Sequence, residues 1–258
     1  KNYGYRSSLN KSMISHLKNK KEYLIKIVKP KKNDLILDIG SNDGTLLNLY
    51  TNKFKRYGVD PTAKKFIKYY QKDINVIPKI FKKNIFSKKI KFKIITAIAM
   101  FYDLREPLSF CKQVENNLDK EGVFHVEIAY LPDILKLYSF DTFCQEHLTY
   151  FSFISFNHLI KQTKFRIIDY HRNGINGGSI NFDIVFKNSK YKTNKAKLQK
   201  LINTENKLGI NKSITFKKFH KDLIYKAKKI NSKILEIKKK NKKIFGYGAS
   251  TKGNVLLQ

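Results

Sequence analysis

The chain has 258 residues, 41% hydrophobic and 13% aromatic, enough to build one large domain and part of a second, and too core-forming to be disordered throughout. No apolar run approaches the ~20 residues that cross a bilayer, and no secretory signal heads the sequence, so a cytoplasmic location without membrane attachment is expected. Two cysteines, Cys111 and Cys144, exclude a disulfide framework and a cysteine-rich zinc site within this sequence, while a net charge of +33 favours anionic partners.

In chain order, a basic leading segment runs into a predicted helix capped by Ser12, with an apolar stripe of Ile14, Leu17, Leu24, Ile25 and Val28 and a stop at Pro30. Residues 35–40 (LILDIG) are a short apolar run closed by glycine, which reads as a buried parallel strand. A helix is predicted at 45–50, a second strand at 56–59 ending in Asp60-Pro61, and a helix at 62–71. Residues 94–100 give a third buried strand, 108–118 a helix and 122–127 a fourth strand. This alternation implies a mostly parallel sheet covered by helices on both faces, an α/β class of the Rossmann-like kind. Residues 130–157 are aromatic and polar without a clean period. Two alternating stretches, 165–170 and 179–186, flank the turn Asn176-Gly177-Gly178 as a hairpin.

From residue 188 the composition turns lysine-rich with helical spacing. Phe216, Phe219, Leu223, Ala227, Ile230, Ile234 and Ile237 fall three or four apart, the pattern of ordinary helix packing. Residues 244–254 then read as a new strand, a glycine-rich turn and a helix start. The expected organisation is a domain over 1–187, a helical connection over 188–243, and the first strand and turn of a second α/β domain over 244–258.

Two constellations carry chemistry. The first is Asp38-Ile39-Gly40-Ser41-Asn42-Asp43-Gly44. A strand running into a tight glycine turn and a helix points backbone N–H groups at the edge where ligands bind in open α/β sheets, and the glycines allow close approach. The spacing Gly40-x-x-x-Gly44, flanked by acidic residues, suits a ligand with a cationic aminocarboxylate end better than a pyrophosphate. Asp60, at the end of the next strand, can accept from both hydroxyls of a ribose. Together these read as an S-adenosylmethionine site. The second constellation, residues 141–151, holds Glu146-His147 among aromatics, and a histidine with an ordinary pKa near 6.5 can act as a general base. His16, His125, His158, His171 and His220 are scattered, with no metal spacing.

Five ordered blocks, DIGSNDGTLL (38–47), AMFYDL (99–104), DTFCQEHLTYFS (141–152), NGGS (176–179) and GYGASTKGN (246–254), together with the leading segment 3–13, resemble the sugar C-methyltransferase family, whose members act on nucleotide-linked ketodeoxysugars. The resemblance spans nearly the whole chain. It implies a three-part protein: an N-terminal cysteine-ligated zinc module that would lie before Lys1, a methyltransferase domain, and a C-terminal α/β domain, of which this sequence holds the middle part and the start of the third. It implies S-adenosylmethionine as cofactor, held by Asp38, Gly40, Ser41, Asn42, Asp43, Gly44, Asp60 and Phe101. His147 becomes the base, Glu146 its partner, and Tyr150 and Tyr102 hydrogen-bond donors to an enolate oxygen. Asn176 and Ser179 either touch the nucleotide-diphosphate ketosugar or shape the hairpin turn, and Lys252 would meet the diphosphate. Two positions depart from the family: some members carry tyrosine where Cys144 stands, and many carry histidine where Gln145 stands.

Two rivals come from other classes. A nucleic-acid methyltransferase is suggested by the charge, but arginine, the usual bidentate phosphate ligand, occurs only at Arg6, Arg56, Arg105, Arg166 and Arg172. The Asn/Asp-Pro-Pro-aromatic motif common in that class is absent, and no nucleic-acid partner is expected. A non-catalytic sugar-nucleotide-binding module is the other, kept open by the departures at Cys144 and Gln145.

Overall fold

The computed structural model describes residues 4–245, together with Gly253 and Val255. Its centre is a seven-stranded sheet in the order β3-β2-β1-β4-β5-β7-β6, built from β1 (Leu35–Ile39), β2 (Lys55–Val59), β3 (Asn75–Ile77), β4 (Phe92–Ile98), β5 (Leu118–Ala129), β6 (Phe165–Asn173) and β7 (Ser179–Phe186). The first five strands are mutually parallel, and β7 inserts antiparallel between β5 and β6. The predicted hairpin is thus β6–β7. Strand order reverses between β1 and β4, which opens a crevice at their C-terminal ends.

The strands are apolar on both faces because both are covered. On one face Ile36, Ile94, Val123 and Val185 pack under Leu17, Leu24 and Val28 of α1 (Lys11–Val28). On the other, Leu37, Ile95, Phe124, Val126, Phe182 and Ile184 meet Phe110 and Val114 of α4 (Pro107–Asn117) and Phe153, Phe156 and Ile160 of α6 (Phe153–Lys161). The smaller helices are α2 (Thr45–Leu49), α3 (Ala63–Phe66) and α5 (Leu131–Leu137), and the chain continues into α7 (Lys195–Leu208) and α8 (Ser213–Lys239).

Several local expectations are corrected. The α1 cap is Asn10, whose side-chain oxygen accepts from the Ser12 N–H at 2.9 Å, rather than Ser12 itself. The helix expected at 62–71 shortens to one turn of α3 and a 3-10 turn, and β3 follows as an edge strand too short to show a period. The aperiodic stretch after Tyr130 contains α5 and the start of α6. No residue of α8 is buried, so the stripe read as ordinary helix packing lies largely exposed among the described residues.

Part of the expected connection belongs to the core. Glu205 of α7 is fully buried and accepts from Tyr130 Oη (2.7 Å) and from the N–H groups of Phe153 (2.6 Å) and Ile154 (2.9 Å). A carboxylate at the first turn of α6 satisfies donors the helix cannot use and complements its dipole. Glu205→Ala strands three donors, two of them buried, at ~1–3 kcal/mol each, so a loss of roughly 3–5 kcal/mol is expected in urea denaturation, with a smaller loss for Glu205→Gln. An unchanged midpoint would refute this role.

Candidate functional site

The C-terminal edge of β1 carries the glycine turn. Gly40 and Gly44 both have φ of +77°, in the left-handed region. A Cβ on Gly44 would sit 2.5 Å from the Tyr70 ring, and one on Gly40 2.9 Å from Met100 Cγ, so both positions exclude side chains on conformation and on space. Between them the Asn42 N–H donates to Asp60 Oδ2 at 2.9 Å, which ties the end of β1 to the end of β2. Tyr70 Oη donates to the Asn42 carbonyl at 2.8 Å and lies 2.8 Å from Ser41 Oγ. Asp60 Oδ1 accepts from the N–H and hydroxyl of Thr62, each at 2.6 Å.

Asp38 is buried beneath this turn, and Thr96 Oγ1 donates to its carboxyl at 2.5 Å. Burial pushes that carboxyl up to about 7; the Thr96 hydrogen bond opposes the shift and the Asp60 charge adds to it. The side chains of Asn42 and Asp43 face the protein's own leading segment. Ser7 N–H donates to Asn42 Oδ1 and Ser8 N–H to Asp43 Oδ2, each at 3.1 Å, while Asn42 Nδ2 donates to the Tyr5 carbonyl at 3.0 Å. Burial raises the Asp43 carboxyl, but hydrogen bonds from Ser8 and Thr45 outweigh it and leave the group below its usual value. Of the residues assigned to a cofactor, Asn42 thus spends its N–H, its carbonyl and its side chain within the protein, Asp43 offers backbone, and Asp38 and Asp60 offer carboxyls. The Phe101 ring is fully buried against Phe110, Phe151 and Phe156, which leaves only its backbone for a cofactor.

The second constellation meets the same edge. The N–H groups of Leu148 and Thr149 both donate to the Tyr102 carbonyl, at 2.9 and 3.1 Å. That anchor lays the His147 ring against Tyr102, with centroids 4.5 Å apart. Tyr102 follows β4 by four residues, and Met100 in between is the side chain that lies over Gly40. The histidine loop and the glycine turn therefore bound one crevice. Glu146 is exposed, and its charge, after burial, is what lifts the neighbouring Asp103 carboxyl to about 7, although that side chain still reaches solvent. Tyr150 Oη donates to the Thr142 carbonyl at 3.4 Å; burial first, then Cys144 and Asp103, raises its phenol above the usual value.

The hairpin turn also projects from this edge, since Ser179 pairs with Ala129 at the end of β5. Asn176 sits there with φ of +54°. Of the two roles open to Ser179, its geometry matches the shaping of the hairpin: it is 3% exposed and its hydroxyl donates to the Ile175 carbonyl at 2.9 Å, closing the turn. Lys252 lies outside the described residues.

Sequence reasoning missed a polar network on the α1 face of the sheet. Glu127 Oε1 lies 2.8 Å from His16 Nε2, and Glu127 Oε2 accepts from Lys20 Nζ at 2.8 Å and Asn173 Nδ2 at 3.0 Å. Asp183 lies 2.7 Å from His125 Nδ1 and accepts from Tyr23 Oη at 2.5 Å. The signal was present: His125 and Glu127 alternate on a strand otherwise apolar, and so do Asn181 and Asp183.

A family model described as a methyltransferase domain matches residues 11–170, and one described as a C-methyltransferase C-terminal domain matches residues 174–258. The chain is 26% identical over 262 residues to the C-methyltransferase NovU of Streptomyces niveus, covering 99% of this chain and 62% of that protein. It therefore spans less than two thirds of that relative's length. A tRNA U34 carboxymethyltransferase of Campylobacter lari is 27% identical over 111 residues, 40% of this chain and 38% of that one. Among solved structures, an S-adenosylmethionine-dependent methyltransferase from Clostridium acetobutylicum superposes with a TM-score of 0.54 at 13% identity, over 67% of this chain and 92% of that chain. The plantazolicin methyltransferase BpumL, solved with SAH, gives 0.53 at 14% identity over 67% and 83%. At these identities the two structures speak to the fold alone. No helix among the described residues is long and apolar enough to cross a membrane.

Proposed function

The chain belongs to the methyltransferase-domain family, and from that premise we propose that it methylates the carbon beside the ketone of a nucleotide-linked deoxysugar, using S-adenosylmethionine. The observation that carries this reading is the convergence at one sheet edge of the glycine turn with its two carboxyls and the His147–Tyr102 pair anchored by the Tyr102 carbonyl. The likeness to NovU over nearly the whole chain supports carbon as the acceptor.

The residues present fit the cofactor. The glycine turn packs tightly under Tyr70 and Met100 at the sheet edge, Asp60 can accept from a ribose, and the buried Asp38 carboxyl matches an ammonium group. When bound, S-adenosylmethionine supplies an electrophilic methyl group on a sulfonium centre. His147 takes the proton from the carbon next to the ketone, and the electron pair of that C–H bond delocalises onto the carbonyl oxygen as an enolate. Tyr102 and the loop anchored to it hold the acceptor carbon in line for attack on the methyl group. Charge on the surface is consistent with a diphosphate ligand, but the arginines are largely spent internally. Arg56 donates to the Leu47 and Tyr50 carbonyls, Arg166 to those of Lys187, Ser189 and Tyr191, and Arg172 to Asp133.

Calorimetric titration with S-adenosylhomocysteine tests the cofactor half. Its ammonium group favours the ionised form of Asp38, whose carboxyl is protonated below about 7 in the free protein. Binding in acid must therefore expel a proton, and affinity should fall as pH drops below about 7, approaching about tenfold per pH unit. Asp38→Asn should flatten that dependence. A wild-type affinity constant from pH 5.5 to 8 would remove Asp38 from the site. Assay of the full-length protein with UDP- and dTDP-linked 4-keto-6-deoxyhexoses tests the acceptor half; no methyl transfer to any of them would overturn it.

A further inference from the structure

Two histidines lie at hydrogen-bond distance from a carboxylate, the fully buried His125 on Asp183 and, with access to solvent, His16. Its Nε2 lies 2.8 Å from Glu127 Oε1, and Glu127 is buried at the C-terminal end of β5. Burial alone would raise that carboxyl, but hydrogen bonds and charge from His16 and Lys20 dominate and hold it down at about 2. Glu127 is thus a carboxylate that only accepts, so the Nε2 proton of His16 points at it and Nδ1 is the ring atom left for other chemistry. The ring retains access, with its side chain 11% exposed.

Its place in the fold is as informative. The segment leading into α1 is fastened to the glycine turn through Ser7 and Ser8, which sets His16 two turns further along the helix, over the end of β5. The Glu127 carbonyl accepts from the Ala99 N–H at 3.0 Å, where β4 turns towards Met100 and Tyr102. The Glu127 carboxylate accepts from Asn173, at the base of the hairpin turn. The pair therefore ties together the glycine turn, the Tyr102 turn and the hairpin, the three borders of the crevice. The other groups facing it are Lys20 from α1, which donates to both Glu127 and Asn181, and Asn181 from β7.

We propose that His16 is a second catalytic residue of this crevice, donating Nδ1–H to the carbonyl oxygen of the acceptor while Glu127 holds its Nε2–H. This rests on the function proposed above. As the C–H proton passes to His147, the carbonyl oxygen takes the Nδ1 proton of the His16 imidazolium and becomes an enol hydroxyl. When the enol carbon gains the methyl group, the C=O bond reforms and the hydroxyl proton returns to His16. The net proton released is the one on His147. Glu127 keeps the imidazolium paired, and Lys20 keeps Glu127 ionised when His16 is neutral.

The test is deuterium exchange at the carbon beside the ketone, followed by NMR in D2O with the full-length protein, S-adenosylhomocysteine and the UDP- and dTDP-linked 4-keto-6-deoxyhexoses. No methyl transfer occurs under these conditions, so enolisation is read alone. His16→Gln, checked for an unchanged melting temperature, should slow exchange about 10²- to 10³-fold, the loss typical of one oxyanion donor, with unchanged S-adenosylhomocysteine affinity. Two-bond proton–nitrogen NMR of the neutral His16 ring should show the proton on Nε2, which needs no substrate. Wild-type exchange by a folded His16→Gln, or a neutral ring protonated on Nδ1, overturns the role of His16 alone. Failure of the wild-type protein to exchange any of these sugars overturns the proposed function and this role with it.

Discussion

His147→Ala is expected to lower methyl transfer by roughly 10²- to 10⁴-fold, the range a positioned general base supplies, while S-adenosylhomocysteine affinity stays at the wild-type value. The separation follows from the architecture. The cofactor turn is built from the ends of β1 and β2 and held by Asp60 and Tyr70. The loop is fixed independently, by Leu148 and Thr149 on the Tyr102 carbonyl. Removing the imidazole leaves those backbone bonds in place, so the turn keeps its shape. Combined measurement of turnover and calorimetric affinity checks both halves. Loss of S-adenosylhomocysteine binding in a folded His147→Ala protein would mean that His147 supports the cofactor rather than taking a proton. His147→Gln adds a second reading, since it fills the space against Tyr102 without a titrating group and should be as inactive as the alanine variant.

The parallel half of the fold was legible because its buried strands are short apolar runs alternating with helical spacing, the first two ended by the turns at Gly40 and Asp60-Pro61. Those terminators are also the residues of the proposed cofactor turn, so fold and candidate site were read from the same positions. What escaped lacks local period. The strand Asn75–Ile77 is three residues long, and α5 is seven residues within a stretch dominated by aromatics. The roles of Ser179 and Phe101 depended on what lies across from them, the Ile175 carbonyl and the aromatic cluster of α4 and α6, and no spacing along the chain encodes that. The His16–Glu127 pair is the clearest case. Its members are separated by 111 positions and meet only because α1 lies across β4 and β5. A histidine and a glutamate on alternate positions of a buried strand mark a polar patch that some other element must satisfy, and that element was α1.

Asp60→Ala should weaken S-adenosylhomocysteine binding by roughly 10-fold, because Asn42 and Thr62 leave the carboxylate one acceptor position for a charge-assisted hydrogen bond from a ribose, worth ~1.5–3 kcal/mol and partly recovered by water. The same carboxylate also holds the Asn42 N–H, at a residue with φ of +50°, and the N–H of Thr62. Alanine therefore removes a ligand contact and loosens the turn that carries Gly40 and Gly44. Asp60→Asn separates the two effects. An asparagine oxygen can still accept from Thr62, but its amide offers donors to the Asn42 N–H and cannot accept there as well. If the contact to the ribose dominates, both variants bind weakly and adenosine, which keeps the ribose and lacks the amino acid, loses affinity by the same factor as S-adenosylhomocysteine. If the turn dominates, the loss is confined to ligands that reach the Gly40–Gly44 arc, and adenosine binding is spared. An affinity unchanged in both variants would take Asp60 out of the site, and with it the match between two carboxyls and the two ends of the cofactor.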